Sequence, residues 1–434
     1  MRSETMSSPA RDRAEAGKAV REHLPRTSHA FWLATPARPD PLAVLSASNE
    51  RRLGHLIPIR HARMAESALA YYRGSAAMMA HDLATTPATG LTVQACGDAH
   101  LLNFGGFATP ERNHIFDVTD FDETLPGPWE WDVKRLATSI VLAGRHNRFA
   151  EDESAAAALA AANAYRERMH ELAAAGPLEV WYARLEAVDI LEKARAVDDN
   201  QRVRAVEKFT AATDEGGLRF REDPPLLYHA AARDGLNVAR IVADYARALA
   251  PDVQVLFARY RLLDAAVKVV GVGSVGTRCA LALFAGDHDT LLLQIKEATA
   301  SVLAAHLPRS PYRGEGERVV RGQRLMQAAS DVFLGWASSG GRDFYVRQFK
   351  DKKATADLQA MDAERLRAYA VACARALAGA HARSGDAAAI GGYLGKSDVF
   401  DRALLTFAQS YADQTERDFE TFTAAIERGT IRAA

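Results

Sequence analysis

Apolar residues recur at a helical period in "MAESALAYYRGSAAMMAHDLA" (64–84), with a glycine inside the run. Past the breaker "TTPATG" the period shortens. "LTVQAC" (91–96) is rich in β-formers and predicts a strand, and "NHIFDVTDF" (113–121) predicts a second. Together they predict a hairpin-like unit that carries a polar, glycine-flanked loop. "PGPWEW" (126–131) reads as a turn, with a helix from about Trp131, and 150–212 is mostly helical, rich in Ala and Glu. "TDEGGLRFREDPPLLYH" (213–229) predicts a loop or short strands, and "VARIVADYARALAPD" (238–252) another helix.

Between about 266 and 298 the pattern becomes β-branched and alternating. It is broken by a glycine-rich turn and by "AGDHDT" (285–290), which predicts three antiparallel strands. Residues 316–335 read as helix and "RDFYVRQFK" (342–350) as strand. From about 361 the chain is helical, with a glycine-rich break at "IGGYLG" (390–395). Residues 1–60 look irregular, with "ATPARPDPLAV" as a loop, and predict an arm packed on the body. The expected fold class is α+β, with a mostly helical large lobe and a small antiparallel-sheet lobe. The expected divisions are an arm at 1–60, a helical region at 61–262, a sheet region at 263–355, and helices at 356–434 that pack back on the large lobe.

Composition narrows the function classes. Hydrophobic residues are 48% and charged residues 25% of 434, enough for a large core. The formal net charge of −1 gives no reason to expect nucleic acid as a partner. No apolar run approaches the ~18 residues of a membrane span, so no membrane partner is expected, and residues 1–26 lack the apolar core of a secretory signal. Cys96, Cys279 and Cys373 are far apart, with neither zinc-ligand spacing nor a disulfide framework. A reducing compartment, the cytoplasm, is the expectation.

Two stretches carry chemistry. "GVGSVG" (271–276) matches G-x-G-x-x-G. A dinucleotide site needs a helix straight after the glycines; here strand, turn and strand follow. That favours the form in which Gly271, Gly273, Ser274 and Gly276 cover nucleotide phosphates with backbone N–H groups. "LLLQIKEA" then ends an apolar strand in Lys296, a point charge for the α- and β-phosphates. A plain hairpin with a solvated lysine is the bland alternative. The other stretch is "CGDAHLLNFGG" (96–106) followed by "FDVTDFDET" (116–124), a dense set of hard oxygen ligands. Asp98 and Asn103 stand at the D-x-x-x-x-N spacing of a base and a metal-binding amide. Asp120 precedes Phe121 as in D-F-G, with Asp122 in place of the glycine. Mg2+ takes few protein oxygens and shares the rest with phosphate and water. Asp120 is the expected metal carboxylate, with Asp117 and Asp122 as substitutes.

"GDAHLLN" with "FDVTDFDE" resembles the catalytic core of the kinase-like phosphotransferases of the aminoglycoside- and choline-kinase type. Gly97, Asp98, His100 and Asn103 match their pattern, with Cys96 where its first His would stand. Asp132 in "PWEWDVKRLATS" matches a helix-start Asp of those enzymes, as a helix cap or a brace for the loop. More closely, "PIRHARMAESALAYYRGSA", "GDAHLLNFG", "FDVTDFDET", "GVGSVGTR" and "AHARSGD" resemble a bacterial family grouped as the domain of unknown function 2252, from about residue 15 to 430. The phosphotransferase resemblance implies a two-lobed kinase-like fold, ATP and Mg2+ as cofactors, and a hydroxyl acceptor of unknown identity. In kinases the glycine loop precedes the catalytic loop; here it follows by about 170 residues, which implies lobes in circularly permuted order.

Transfer of AMP, a nucleotide-holding module without turnover, and a metal-dependent hydrolase are the other functions weighed. His100 reads as a substrate contact or, more commonly for a loop histidine, a residue that shapes the loop; Arg73 reads as a phosphate contact or, as is usual for a helical arginine, one paired with surface acids. Tyr71 and Tyr72 read as core, and "HARSGD" (381–386) as a helix cap. Glu317, Glu297 or Gln323 would pair with Lys296. "YVRQFKDKK" (345–353) is either the strand joining the lobes or a charged edge.

Overall fold

The computed structural model describes residues 9–187, 190, 206–213, 217–230, 234–349 and 356–434. The N-terminal arm is more ordered than its prolines suggest. It forms α1 (Ala10–Ala19) and α2 (Pro41–Asn49), and α3 (Ile57–Met64) follows. Asp40 caps α2 by accepting from the Leu42 amide at 3.0 Å, and Pro41 supplies the φ that a first turn needs. The prolines therefore start a helix. Arg38 fastens the arm to the body, with its guanidinium between Asp82 (2.9 Å) and Asp418 (2.6 Å). The expected helix at 64–84 is two, α4 (Ala68–Gly74) and α5 (Ala76–Ala84).

The first strands pair differently from the expected single hairpin. β1 (Thr92–Ala95) lies antiparallel to β4 (Leu125–Pro128), with Ala95 opposite Leu125. β2 (Phe104–Ala108) pairs with β3 (His114–Val118), with Phe104 opposite Val118. The glycines of "FGGFA" read as loop, yet that segment is a buried strand. One ladder is thus nested inside another. The segments 96–103 and 119–124 both cross between the two ladders, which lays them side by side.

α6 (Trp129–His146) follows and is buried along nearly its whole length. α7 (Glu151–Ala174) and the short α8 (Pro177–Tyr182) come next, and β5 (Leu185–Glu186) then adds to β3. β6 (Thr210–Ala212) pairs with β7 (Leu218–Phe220). The middle of the expected helical stretch at 150–212 lies outside the described residues, as does the basic end of 345–353.

β8 (Leu227–Tyr228) begins a second region. It contains α9 (Val238–Ala248), α10 (Pro251–Phe257), β9 (Arg261–Lys268), β10 (Cys279–Ala285), β11 (Thr290–Ala298), α11 (Glu315–Met326), β12 (Gly335–Ser339) and β13 (Arg342–Gln348). The three expected strands are present, in a six-stranded antiparallel sheet of order β12-β13-β11-β10-β9-β8. α9, grouped by its pattern with the helical region, packs on this sheet through Ile241 and Tyr245, beside Phe257, Phe284 and Phe333. α11 stops at Met326, short of the expected 335. The Gln327 side chain donates to the Val118 carbonyl (2.7 Å) and the Ala328 amide to Asp117 (3.0 Å), which diverts the chain onto the acidic segment.

The chain closes with α12 (Ala363–Ser384), α13 (Ala387–Leu394) and α14 (Val399–Glu427). The Ala-rich runs now have a purpose. Ala157, Ala158 and Ala161 of α7 and Ala370, Ala374 and Ala378 of α12 are buried in one core, where small side chains let the helix axes approach. No described helix is long and apolar enough to cross a membrane.

Candidate active site

A cleft of about 760 Å3 is lined from both regions. The helical region contributes Asp98, Asn103, Asp120 and Asp122; the sheet region contributes Gly271, Gly273, Ser274 and Lys296. Of the residues expected to act as base, metal ligand or phosphate cover, Gly276 and Asp117 do not line it.

The loop after β1 is fixed from behind. Asp132, on the first turn of α6, accepts from the amides of Cys96 (2.5 Å) and Gly97 (2.9 Å). His381 of α12 meets the same carboxylate at 3.1 Å, and Tyr165 of α7 meets the other His381 nitrogen at 2.7 Å. Asp132 is therefore the brace; α6 starts at Pro128 without a side-chain cap. The cap foreseen in "HARSGD" is Asp386, which accepts from Ala388 and Ala389 at the start of α13. Gly97 has φ +81, and a Cβ there would stand 2.4 Å from the Glu123 carbonyl oxygen, so the turn excludes any side chain.

Asp98 comes next in the loop. Its Oδ1 accepts from Arg135 Nε at 2.5 Å, and its Oδ2 lies 3.8 Å from His100 Nε2. Burial, aided by the charges of Asp120 and Glu123, lifts this carboxyl to about 7 against the pull of Arg135. His100 is buried, and burial beside Arg73 and Arg135 pushes it well below the imidazole range, so the ring is neutral. Its backbone closes the loop, N to the Asp98 carbonyl and O from the Asn103 amide, both at 2.8 Å. Asn103 gives its side-chain nitrogen to the Asp98 carbonyl (2.8 Å), which leaves the amide oxygen for the cleft. Its backbone carbonyl accepts from the Thr119 amide (2.8 Å) and ties the two loops together.

The acidic segment divides in function along its length. Asp117 is a buried brace, with bonds from the amides of Val118 (2.9 Å) and Ala328 (3.0 Å) and from Arg383 (3.2 Å). Asp120 and Asp122 face the cleft. Asp122 is the meeting point of the two regions. Lys296 Nζ forms an ion pair with its Oδ2, Ser274 Oγ lies 3.4 Å from the same oxygen, and Tyr345 donates to Oδ1 at 2.8 Å. Burial disfavours the charged lysine, but Asp122 outweighs it and holds the ammonium well above its ordinary range. None of the three partners weighed for Lys296 is bonded to it. Glu317 pairs with Arg321 (3.5 Å), Glu297 with Arg278 (3.1 Å), and Gln323 with Gln327 (2.9 Å). α11 reaches the site through Arg318 instead, which donates to the carbonyls of Asp122 (2.8 Å) and Thr124 (2.6 Å).

The glycine segment joins β9 to β10, and Val272–Ser274 forms a single 3-10 turn. The N-terminal arm clamps it. Arg52 donates to the carbonyls of Gly273 (2.9 Å) and Val275 (2.6 Å), and the Leu53 amide donates to the Gly276 carbonyl (2.7 Å). Gly276 has φ +87 and abuts Arg52, so it sets the turn at the base of the loop.

Sequence reasoning missed Arg135, Arg52, Tyr345 and Arg347. Arg347 bridges Gln294 (3.0 Å) and the Thr119 carbonyl (2.9 Å), and so joins β11 to the acidic segment. Arg135 was within reach: it lies three residues after Asp132, on the same face of α6. Arg73, weighed as a phosphate contact or a surface-paired arginine, lines the cleft.

The fold and cleft define an α+β protein whose candidate chemistry lies between a helical region and an antiparallel sheet. The chain belongs to the family described as "Uncharacterized protein conserved in bacteria (DUF2252)", whose profile it matches over residues 52–425. No curated protein and no solved structure matches it.

Proposed function

We propose that this protein is an ATP- and Mg2+-dependent phosphotransferase of kinase-like, circularly permuted organisation, acting on a hydroxyl acceptor. The observation that carries the reading is the meeting of Lys296 and Ser274 with Asp122 in one cleft with Asp98. The order of elements supports it: strand, glycine turn, strand, lysine strand, helix, two strands.

Among the described residues, no three His, Cys, Asp or Glu side chains are grouped to hold a metal by themselves. Mg2+ that arrives with a nucleotide needs only one or two protein oxygens. Asn103, through its side-chain oxygen, and Asp120 suit that role. The ion would neutralise charge on the phosphates.

Lys296 leaves Asp122 for the α- and β-phosphates, and the Gly271–Ser274 turn covers them, with the Ser274 amide kept by the Gly271 carbonyl (2.9 Å). Arg135 holds Asp98 Oδ1, so Oδ2 faces the acceptor. The acceptor oxygen bonds to the γ-phosphorus as the bond to the bridging oxygen breaks. ADP leaves, and the hydroxyl proton passes to Asp98 Oδ2. A carboxyl at about 7 suits that transfer at neutral pH.

The first test is thermal unfolding with Mg2+ and ATP. Nucleotide at 100 times its Kd adds about 2.7 kcal/mol to the wild type, and Lys296→Met loses most of that gain. Equal shifts in both proteins, or none in either, reject the assignment.

A further inference from the structure

Three arginines from the N-terminal segments, Arg52, Arg60 and Arg73, line the cleft that holds Asp98. Arg52 and Arg60 give their terminal nitrogens to neutral acceptors: Arg52 to loop carbonyls, and Arg60 to Asn49 Oδ1 (2.8 Å) and the Gly74 carbonyl (2.7 Å). Arg60 is only 1% exposed, and its Nε has no hydrogen-bond partner among the described residues. Arg73 Nε is likewise buried and unpartnered there. Gathering guanidinium groups in a partly dry cleft without a bonded carboxylate is unfavourable unless an anion completes the set.

Position shows which anion. Arg73 Nη2 lies 3.8 Å from where a Cβ on Gly271 would stand, so the guanidinium sits under the glycine turn. Tyr72, the residue before Arg73, gives its carbonyl to Arg135 Nη2 at 3.0 Å, and Arg135 holds Asp98 at 2.5 Å, whereas Lys296 is paired with Asp122. The cleft thus has two cationic halves. Lys296 serves the half assigned to the nucleotide. Arg73 serves the half beside the proposed base, where the acceptor must lie.

We propose that Arg73, with Arg60 bonded to the adjoining Gly74 carbonyl, forms an oxyanion subsite beside Asp98, and that the acceptor is an anionic molecule held there by a phosphate or carboxylate group. A guanidinium fork suits such a group, and paired donors give it a fixed orientation. The word acceptor rests on the proposed phosphotransferase; the anion subsite does not.

Calorimetric titration of the full chain with inorganic phosphate tests both parts, with and without a saturating non-hydrolysable ATP analogue and Mg2+. Wild type binds phosphate in both conditions. Arg73→Gln weakens phosphate binding about tenfold or more and leaves analogue affinity within about twofold; Arg73→Lys gives an intermediate loss. Melting curves check that each variant is folded, and if Arg73→Gln is not, Arg73→Lys decides. Absent phosphate binding in the wild type, or equal binding by the variants, overturns the subsite. Displacement of phosphate by the analogue overturns the anionic acceptor, because Arg73 would then hold the terminal phosphate of the nucleotide. If the analogue itself fails to bind, the phosphotransferase reading falls, and the phosphate titration still decides the subsite.

Discussion

Asp98 and Asp132 serve opposite faces of one loop. Asp132 is 1% exposed, and its two oxygens receive the Cys96 and Gly97 amides and the His381 ring. Asp98 has one oxygen on Arg135 and the other beside a neutral histidine at the cleft. Both carboxylates touch the same turn, Asp132 fully buried and Asp98 partly exposed to the cleft. One is saturated by hydrogen bonds and fixes geometry. The other is left short of partners, among acids, and its proton affinity rises to about 7. A saturated carboxylate stabilises the fold; an unsaturated one retains free energy for chemistry.

The largest effect should separate them outright. Asp98→Asn keeps the side-chain shape and an oxygen for Arg135 but removes the proposed proton acceptor. Nucleotide-dependent phosphorylation should fall by about 10²–10⁴-fold, with nucleotide affinity nearly unchanged. Unchanged turnover would remove Asp98 from the role of base. Asp132→Ala should do the reverse. It strands two buried amides and the His381 ring, and should lower folding stability by about 3–5 kcal/mol in urea unfolding. The contrast breaks if Asp132→Ala melts like the wild type.

The same distinction explains what could be read in the sequence. Spacing picked out Asp98 and Asn103, and the end of an apolar strand picked out Lys296; all three line the cleft, because a short loop and a strand end impose their own register. The alternation in 266–298 likewise gave the strands around the glycine turn. Asp117 remained a substitute for Asp120, since the following Phe121 ranks Asp120 first but "DVTD" carries no mark of which acid turns toward the Ala328 amide. The partner of Lys296 was missed because it is set by a tertiary approach across 174 positions, which no helix or strand period encodes. The arm was misread as irregular because a proline at a first helical turn and a proline in a loop look alike in composition. Arg73 stayed open between a phosphate contact and a surface ion pair, because a helical period does not say which face of the helix meets the cleft.

The lysine pair offers a finer separation. Lys296→Met and Asp122→Asn, alone and combined, should show a coupling of about 1–3 kcal/mol in stability without ligand. With Mg2+ and nucleotide bound the coupling should shrink, because Lys296 then faces phosphate. A coupling that persists unchanged would mean that the pair is a fixed structural contact, like the Asp132 brace, and has no part in binding.

The smallest effect is the most specific to Asp98. Its carboxyl must be ionised to accept a proton, so activity should be full above about pH 7 and fall as pH drops below it. Between pH 8 and pH 6 the loss should approach about tenfold, with a single-proton slope. Arg135 pulls this carboxyl down, so Arg135→Gln should move the midpoint to higher pH. A change at Asp132 alters how many molecules are folded and should leave the midpoint where it was. A midpoint that ignores Arg135 would assign the titration to another group, and Asp98 would then be only a second brace.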